Sequence, residues 1–204
     1  TKLTKLPKTL NPPLLKVSSS RKSWFDQTCT TDFPSTELFQ CWGGDSNSKR
    51  TIILYGDSHA SMWMTALDEI GKVQGFKVLL LAKLACPILQ KTIWSYQLNK
   101  PFTECDEWNQ KALNLIKSIH ADYLIATNQW KPAVDGSNKD DFGTSSLWTS
   151  EFPKALASLK SLANKAILIG NNPSMTTDPL HCAGKPNQNI ALCASFTPNA
   201  DNHE

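Results

Sequence analysis

From Thr51 onward the chain alternates short apolar runs with longer stretches in which apolar residues return every three or four positions. TIILY (51–55), KVLLLA (77–82), DYLIAT (122–127) and KAILIG (165–170) are apolar almost throughout, the pattern of strands buried on both faces. Between them, Met62, Trp63, Ala66, Leu67, Ile70 and Val73 mark one helix face, which Gly75 stops. Trp108, Ala112, Leu115, Ile116 and Ile119 mark a second, and Phe152, Ala155, Leu156, Leu159, Leu162 and Ala163 a third. Strands alternating with amphipathic helices predict an α/β chain in three layers, a parallel sheet covered on both faces. Ligands bind such sheets at the carboxyl ends of the strands, so the informative residues should follow Tyr55, Ala82, Thr127 and Ile169 directly. There the chain reads GDSHA, KLACP, NQW and GNNP.

Residues 1–23 mix Pro, Lys and Ser without a helical or strand period and read as a tether, leaving 24–204 as one domain. A total of 204 residues suffices for a single substantial core. Charged residues make up 19% of the chain, below the roughly 25% usual for soluble domains, which argues against disorder. The net charge of +3 comes from scattered basic residues with no aromatic-interleaved stripe, so no nucleic-acid partner is expected. The longest apolar stretch, Val78 to Leu89, is interrupted by Lys83 and falls short of the roughly 20 residues that span a bilayer.

Six cysteines fit an oxidising compartment. They form three local couples, Cys29 with Cys41, Cys86 with Cys105 and Cys182 with Cys193, each straddling loop-like sequence. Economy of loop closure favours these nearest-neighbour disulfides, although six cysteines permit 15 pairings and six buried thiols are the alternative. No C-x-x-C occurs, so no metal site is expected.

Ser58 stands on a tight turn between the first strand and the first helix, where backbone N–H groups and the positive helix end stabilise an oxyanion. Asp57 and Ser58 could equally be helix caps. GDSHA, followed by Ala85-Cys86-Pro87, by C-x-x-W at Cys105 to Trp108, by DYLIATNQW and by the late Cys182 and Cys193, resembles the SGNH hydrolase superfamily. Within it, the chain is similar over about residues 24–200 to the SGNH domain fused behind the membrane-embedded acyltransferase-3 domain of bacterial polysaccharide O-acyltransferases. The resemblance implies a flavodoxin-like fold, with Ser58 as nucleophile and an oxyanion hole formed around Ser58, Ala85 and Asn128. The superfamily's usual G-x-N-D reads here as Ala126, Thr127, Asn128 and Gln129, without the Gly and the Asp.

The resemblance further implies transfer of an acyl group, most often acetyl, to a cell-surface polysaccharide such as lipopolysaccharide, through a serine acyl-enzyme and without a cofactor. The partners are then a carbohydrate acceptor and an acyl donor delivered by a membrane domain of the same polypeptide. The location is the periplasmic or extracellular face of a bacterial membrane. A carbohydrate esterase and a non-catalytic glycan-binding module are the alternatives; for the latter Trp94 and Trp130 at the rim are the stacking candidates, while Trp63 and Trp108 read as core.

The family also carries a late D-x-x-H pair after a fifth strand, for which no apolar run is found, so the chain is expected to lack its last helix and strand. Asp178 and His181 spell D-x-x-H, but they follow the fourth strand in a loop that carries Cys182. His181 is accordingly expected farther than about 6 Å from Ser58 Oγ, out of reach for a base. His59 reads as a capping or packing residue, His120 ends a helix, and His203 lies in the tail. Asp57-x-His59 with Asn202-His203-Glu204 superficially matches a dinuclear phosphoesterase, whose intervening metal motifs are missing.

Overall fold

The computed structural model describes residues 28–129, 146–170, 178–185 and 189–194, together with Pro13, Lys16 and Trp24. In chain order the elements are β1 (Thr30–Thr31), β2 (Cys41–Gly44), β3 (Thr51–Gly56), α1 (Ser58–Gln74), β4 (Lys77–Lys83), β5 (Trp94–Ser95) and β6 (Lys100–Pro101). They continue with α2 (Thr103–Ile119), β7 (Ala121–Thr127), α3 (Ser146–Lys160), β8 (Ala163–Ile169), α4 (Pro179–Ala183) and a 3-10 turn at Ile190–Ala194. The chain divides into two compact units, Ser23–Asn171 and a second drawn from Thr1–Lys22 and Asn172–Glu204.

The larger unit is an α/β sandwich. Four parallel strands run in the order β4-β3-β7-β8, and the outer side of β4 is shared by parallel β1 and antiparallel β2. One face of the sheet, with Ile53, Tyr55, Leu79, Leu81, Leu124 and Ala126, packs on Trp108, Ala112 and Ile116 of α2 and on Ala155-side residues of α3 such as Leu159. The other face, with Leu54, Val78, Leu80 and Ile125, packs on Ala60 and Met64 of α1. Each fully buried large aliphatic side chain contributes about 1.5–3 kcal/mol, so the alternation along β3 and β4 glues both helix layers to one sheet.

The predicted strands and helices lie where the pattern put them, except that α3 ends at Lys160, so Leu162 falls in the connection and Ala163 opens β8 by pairing with Ala121 of β7. Two burial expectations are also corrected. The face of α1 turned inward is Ala60, Ser61, Met64, Asp68 and Gly71, whereas Met62, Ile70 and Val73 are exposed. The cause is the close approach of β2. A side chain at Gly71 would meet the Gly44 Cα at 2.8 Å, and Asp68 Oδ1 accepts the Gly44 N–H at 2.9 Å. Ser61 likewise shares a buried 2.7 Å hydrogen bond with Thr30 of β1. Small and polar residues therefore occupy the contact that apolar periodicity assigned elsewhere. The second correction concerns β8, which is mostly exposed, with Ile167 at 43%; among the described residues it is paired only along its β7 side.

In the smaller unit, α4 and the 3-10 turn are joined by Cys182–Cys193. The larger unit carries Cys29–Cys41 and Cys86–Cys105. Among the described residues no helix is long and apolar enough to cross a membrane.

Candidate active site

Three turns leave the carboxyl ends of β3, β4 and β7, and they surround the point where the strand order reverses. The connections on the two sides of β3 pass over opposite faces, α1 on one and α2 on the other, which opens a crevice above the strand ends.

The β3 turn is built by Gly56 and Asp57. Gly56 has φ +155°, and a Cβ there would lie 1.7 Å from the Thr127 carbonyl oxygen, so any side chain would force β3 and β7 apart. Asp57, buried at 4% exposure, is the N-cap of α1: its Oδ1 accepts the His59 N–H at 2.8 Å. Its Oδ2 reaches across the crevice and accepts the Gln129 N–H at 2.8 Å, tying the β3 turn to the β7 turn. His59 Nδ1 also lies 3.2 Å from Asp57 Oδ1. Ser58 is the first residue of α1 and is half-buried, so its hydroxyl stands at the positive end of a helix of 17 residues. An anion forming on a substrate beside it meets the positive end of the helix dipole.

The β4 turn contains Ala85, exposed and with φ +51°, in the left-handed region that residues with a side chain seldom occupy. Three buried attachments flank it. Cys86 is bonded to Cys105 of α2, and the Pro87 carbonyl accepts Asn109 Nδ2 at 3.0 Å. Lys83, fully buried, donates to the carbonyls of Asp32, Phe33 and Ser35 at 2.7, 2.9 and 2.6 Å. Burial lowers its ammonium to about 8, against the pull of Glu104 and Asp32. From β3, the Tyr55 hydroxyl donates to Asn109 Oδ1 at 2.5 Å, and its ring stacks on Trp108 at 5.9 Å between centroids. Burial pushes the Tyr55 phenol up, so it stays a protonated donor.

The β7 turn contributes Asn128, 1% exposed, whose Oδ1 faces the Ile88 N–H of the β4 turn at 3.5 Å. Its neighbour Thr127 has a buried Oγ1 without a hydrogen-bond partner. The structure thus brings Ser58, Ala85 and Asn128 onto the three turns of one crevice. Asp178 and His181 belong to the smaller unit, where Asp178 Oδ1 accepts the His181 N–H at 3.0 Å and caps α4, and His181 is exposed. Trp108 is core as expected, Trp63 and Trp94 are half-buried, and His120 closes α2 in the left-handed conformation. Trp130, His203 and the Asn171–Pro173 part of GNNP lie outside the described residues. Among the described residues no three His, Cys, Asp or Glu side chains cluster as metal ligands.

Sequence reasoning missed three groups. The second hydrogen bond of Asp57 could not be read from a capping motif. Asn109 is polar at a helical position beside the buried Trp108, and Lys83 is a single charge inside an apolar run; each was a visible break in pattern without a visible partner.

A family model described as "SGNH domain (fused to AT3 domains)" matches residues 21–204. Among solved structures, the chain is similar to the periplasmic domain of the lipopolysaccharide acetyltransferase of Salmonella ser. Paratyphi A, with 16% identity and a TM-score of 0.51. That match covers 67% of this chain and spans half the length of the other. No curated protein matches.

Proposed function

The chain belongs to the family of SGNH domains fused to AT3 domains, and from this premise we propose that it transfers an acyl group, acetyl in the first instance, to a hydroxyl of a cell-surface polysaccharide through an acyl-enzyme at Ser58. The carrying observation is the placement of Ser58 at the N-terminus of α1, on a turn locked to the β7 turn by Asp57. In the first half-reaction a bond forms between Ser58 Oγ and the acyl carbon, and the bond to the donor's leaving oxygen breaks. The proton leaves Ser58 for a general base and ends on that oxygen. In the second, a sugar hydroxyl attacks the acyl carbon, Ser58 Oγ departs, and the sugar's proton returns to Ser58. The carbonyl oxygen carries negative charge in both steps. Its proposed donors are backbone N–H groups at Ser58 and Ala85 and the Asn128 carboxamide, whose Nδ2 also donates to the Gln129 carbonyl at 3.3 Å, all held by the three turns before the reaction begins.

The fusion to AT3 domains supports an acyl donor supplied by a membrane domain, a carbohydrate acceptor and an extracytoplasmic site, for which three disulfides are the fitting chemistry. Asp178 is engaged in capping its own helix, so the Asp178–His181 pair is proposed as a structural turn and not as the base. The test is Ser58→Ala in the full-length protein, with acyl transfer to the polysaccharide followed by mass spectrometry. Loss of transfer and of a trappable acyl-serine peptide, with the fold intact, is expected; wild-type transfer by the variant removes the mechanism. Release of free acid without transfer to any sugar would replace the transferase by the esterase, which uses the same acyl-enzyme with water as acceptor.

A further inference from the structure

The C-x-x-W stretch of α2 continues into Asn109, and all three of its marked residues grip the crevice from below. Cys105 holds Cys86, Trp108 stacks on Tyr55, and Asn109 bonds both Tyr55 and Pro87. We infer that Asn109 is a positioning residue for the reaction at Ser58: its carboxamide sets the spacing between the Gly56–Ser58 turn and the Ala85–Pro87 turn. The inference rests on the acyl-enzyme reading above.

The backbone pairing of β3 with β4 ends at Gly56 opposite Ala82, at the first residue of the β3 turn. Beyond that point no ladder hydrogen bond maintains the distance between them, yet both must aim N–H groups at one oxyanion, where a shift of about 1 Å is costly. Asn109 supplies the missing rung. Its Oδ1 accepts from Tyr55, the residue before Gly56, and its Nδ2 donates to the carbonyl of Pro87, two residues after Ala85. The two halves of the carboxamide are used in opposite senses, so neither leucine nor aspartate can replace it. Burying a carboxamide at 6% exposure is unfavourable unless both ends are satisfied, and an apolar residue would serve packing alone better. The adjoining Gln110 is exposed and donates to Asn114, so it cannot take over. Asn109 also borders a cavity of about 600 Å³ with Leu89, Thr92, Asp106 and Leu113, which leaves room for a substituted side chain.

The experiment uses full-length protein and p-nitrophenyl acetate as the acyl-donor probe, with the Ser58→Ala rate subtracted. Asn109→Leu is expected to lower kcat by about tenfold or more with KM within about twofold. Tyr55→Phe keeps the bond to Pro87 and is expected to lose only about threefold. Asn109→Asp accepts from Tyr55 but, ionised, points a lone pair at the Pro87 carbonyl. Its kcat relative to wild type should therefore recover as pH falls and the carboxyl gains an O–H to donate. The Asp106 carboxyl, three positions earlier on α2 and lining the same cavity, is itself raised by burial and bonded to Thr92, and moves that recovery upward in pH. A residue needed only for stability would lower the melting temperature of Asn109→Leu with kcat unchanged, and would leave the Asn109→Asp ratio flat with pH; either result overturns the inference. Should Asn109→Leu fail to fold, Tyr55→Phe and the pH ratio of Asn109→Asp decide it. Wild-type turnover that survives Ser58→Ala overturns the acyl-enzyme reading as well, whereas Ser58 dependence with full kcat in the Asn109 variants removes Asn109 alone.

Discussion

Two short segments of this chain spell catalytic pairs, Asp57-Ser58-His59 and Asp178-Pro179-Leu180-His181, and in local geometry they are nearly alike. In each, an aspartate Oδ1 accepts the backbone N–H of the following histidine, at 2.8 Å and 3.0 Å, and caps a helix. They differ in the length of the helix that each opens and in the distant strand end that Asp57 holds. Asp57 spends Oδ2 on Gln129, a residue 72 positions away on another strand end, and opens a helix of 17 residues packed on the sheet. Asp178 opens a helix of five residues. Capping alone is therefore no sign of chemistry, because Asp commonly caps helix starts that carry no site. A cap that also fixes a distant backbone segment makes a rigid site.

The most severe way to break the comparison is Ser58→Ala, which should reduce acyl transfer by roughly 10³-fold or more while far-ultraviolet dichroism stays unchanged. Next comes Gly56→Ala. Its Cβ would collide with the Thr127 carbonyl, and chemical denaturation should show a loss of about 3 kcal/mol or more, with activity lost alongside.

Asp57→Asn separates the two uses of the carboxylate. Its remaining oxygen can cap His59, but its NH₂ then faces the Gln129 N–H, and a buried donor left unpaired costs about 1–3 kcal/mol. A tenfold fall in kcat is the expected order, at a modest cost in melting temperature. Equal activity in the variant would dissolve the distinction between the two turns.

The buried Lys83 beneath the β4 turn provides a pH test of rigidity. Its ammonium titrates near 8 in the fold against 10.5 for the free side chain, so the unfolded chain binds more protons between these values. The burial penalty is fully present below pH 8 and is relieved as pH rises toward 10.5. Wild-type stability measured against Lys83→Met should therefore increase across that window; a gap that is constant with pH would show that Lys83 is not held in its buried, charged pocket. The smallest effects belong to the other turn. Asp178→Ala should cost about 1 kcal/mol of local stability, seen by hydrogen exchange, and His181→Ala should leave transfer unchanged. A large loss of activity in His181→Ala would reinstate it as the base.

Much of this molecule was legible from its pattern. The four apolar runs became β3, β4, β7 and β8, Gly75 ended α1 in a left-handed cap, and the residues directly after β3, β4 and β7 form the turns at the strand ends. These features are local: a run of Ile, Leu and Val forms a strand wherever the sheet accepts it, and a parallel sheet carries its site at the strand ends. The short β1 and β2 were invisible because two residues and a CWGG stretch hold no pattern of their own, and they exist as strands only by pairing with the edge of β4. The inner face of α1 was misread for the same reason, since Ser61, Asp68 and Gly71 are buried by what β1 and β2 bring against them.

At the site the division is sharper. The sequence alone determined that a serine would stand on a tight turn between a buried strand and a helix, with a cysteine-bearing turn following the neighbouring strand. Only the tertiary structure decided that Asp57 would hold Gln129, that Asn109 would join Tyr55 to Pro87, and that Lys83 would gather three carbonyls. A hydrogen bond between residues 72 positions apart depends on where two strands end in space, and that is set by sheet register and packing rather than by either residue's neighbours in the chain.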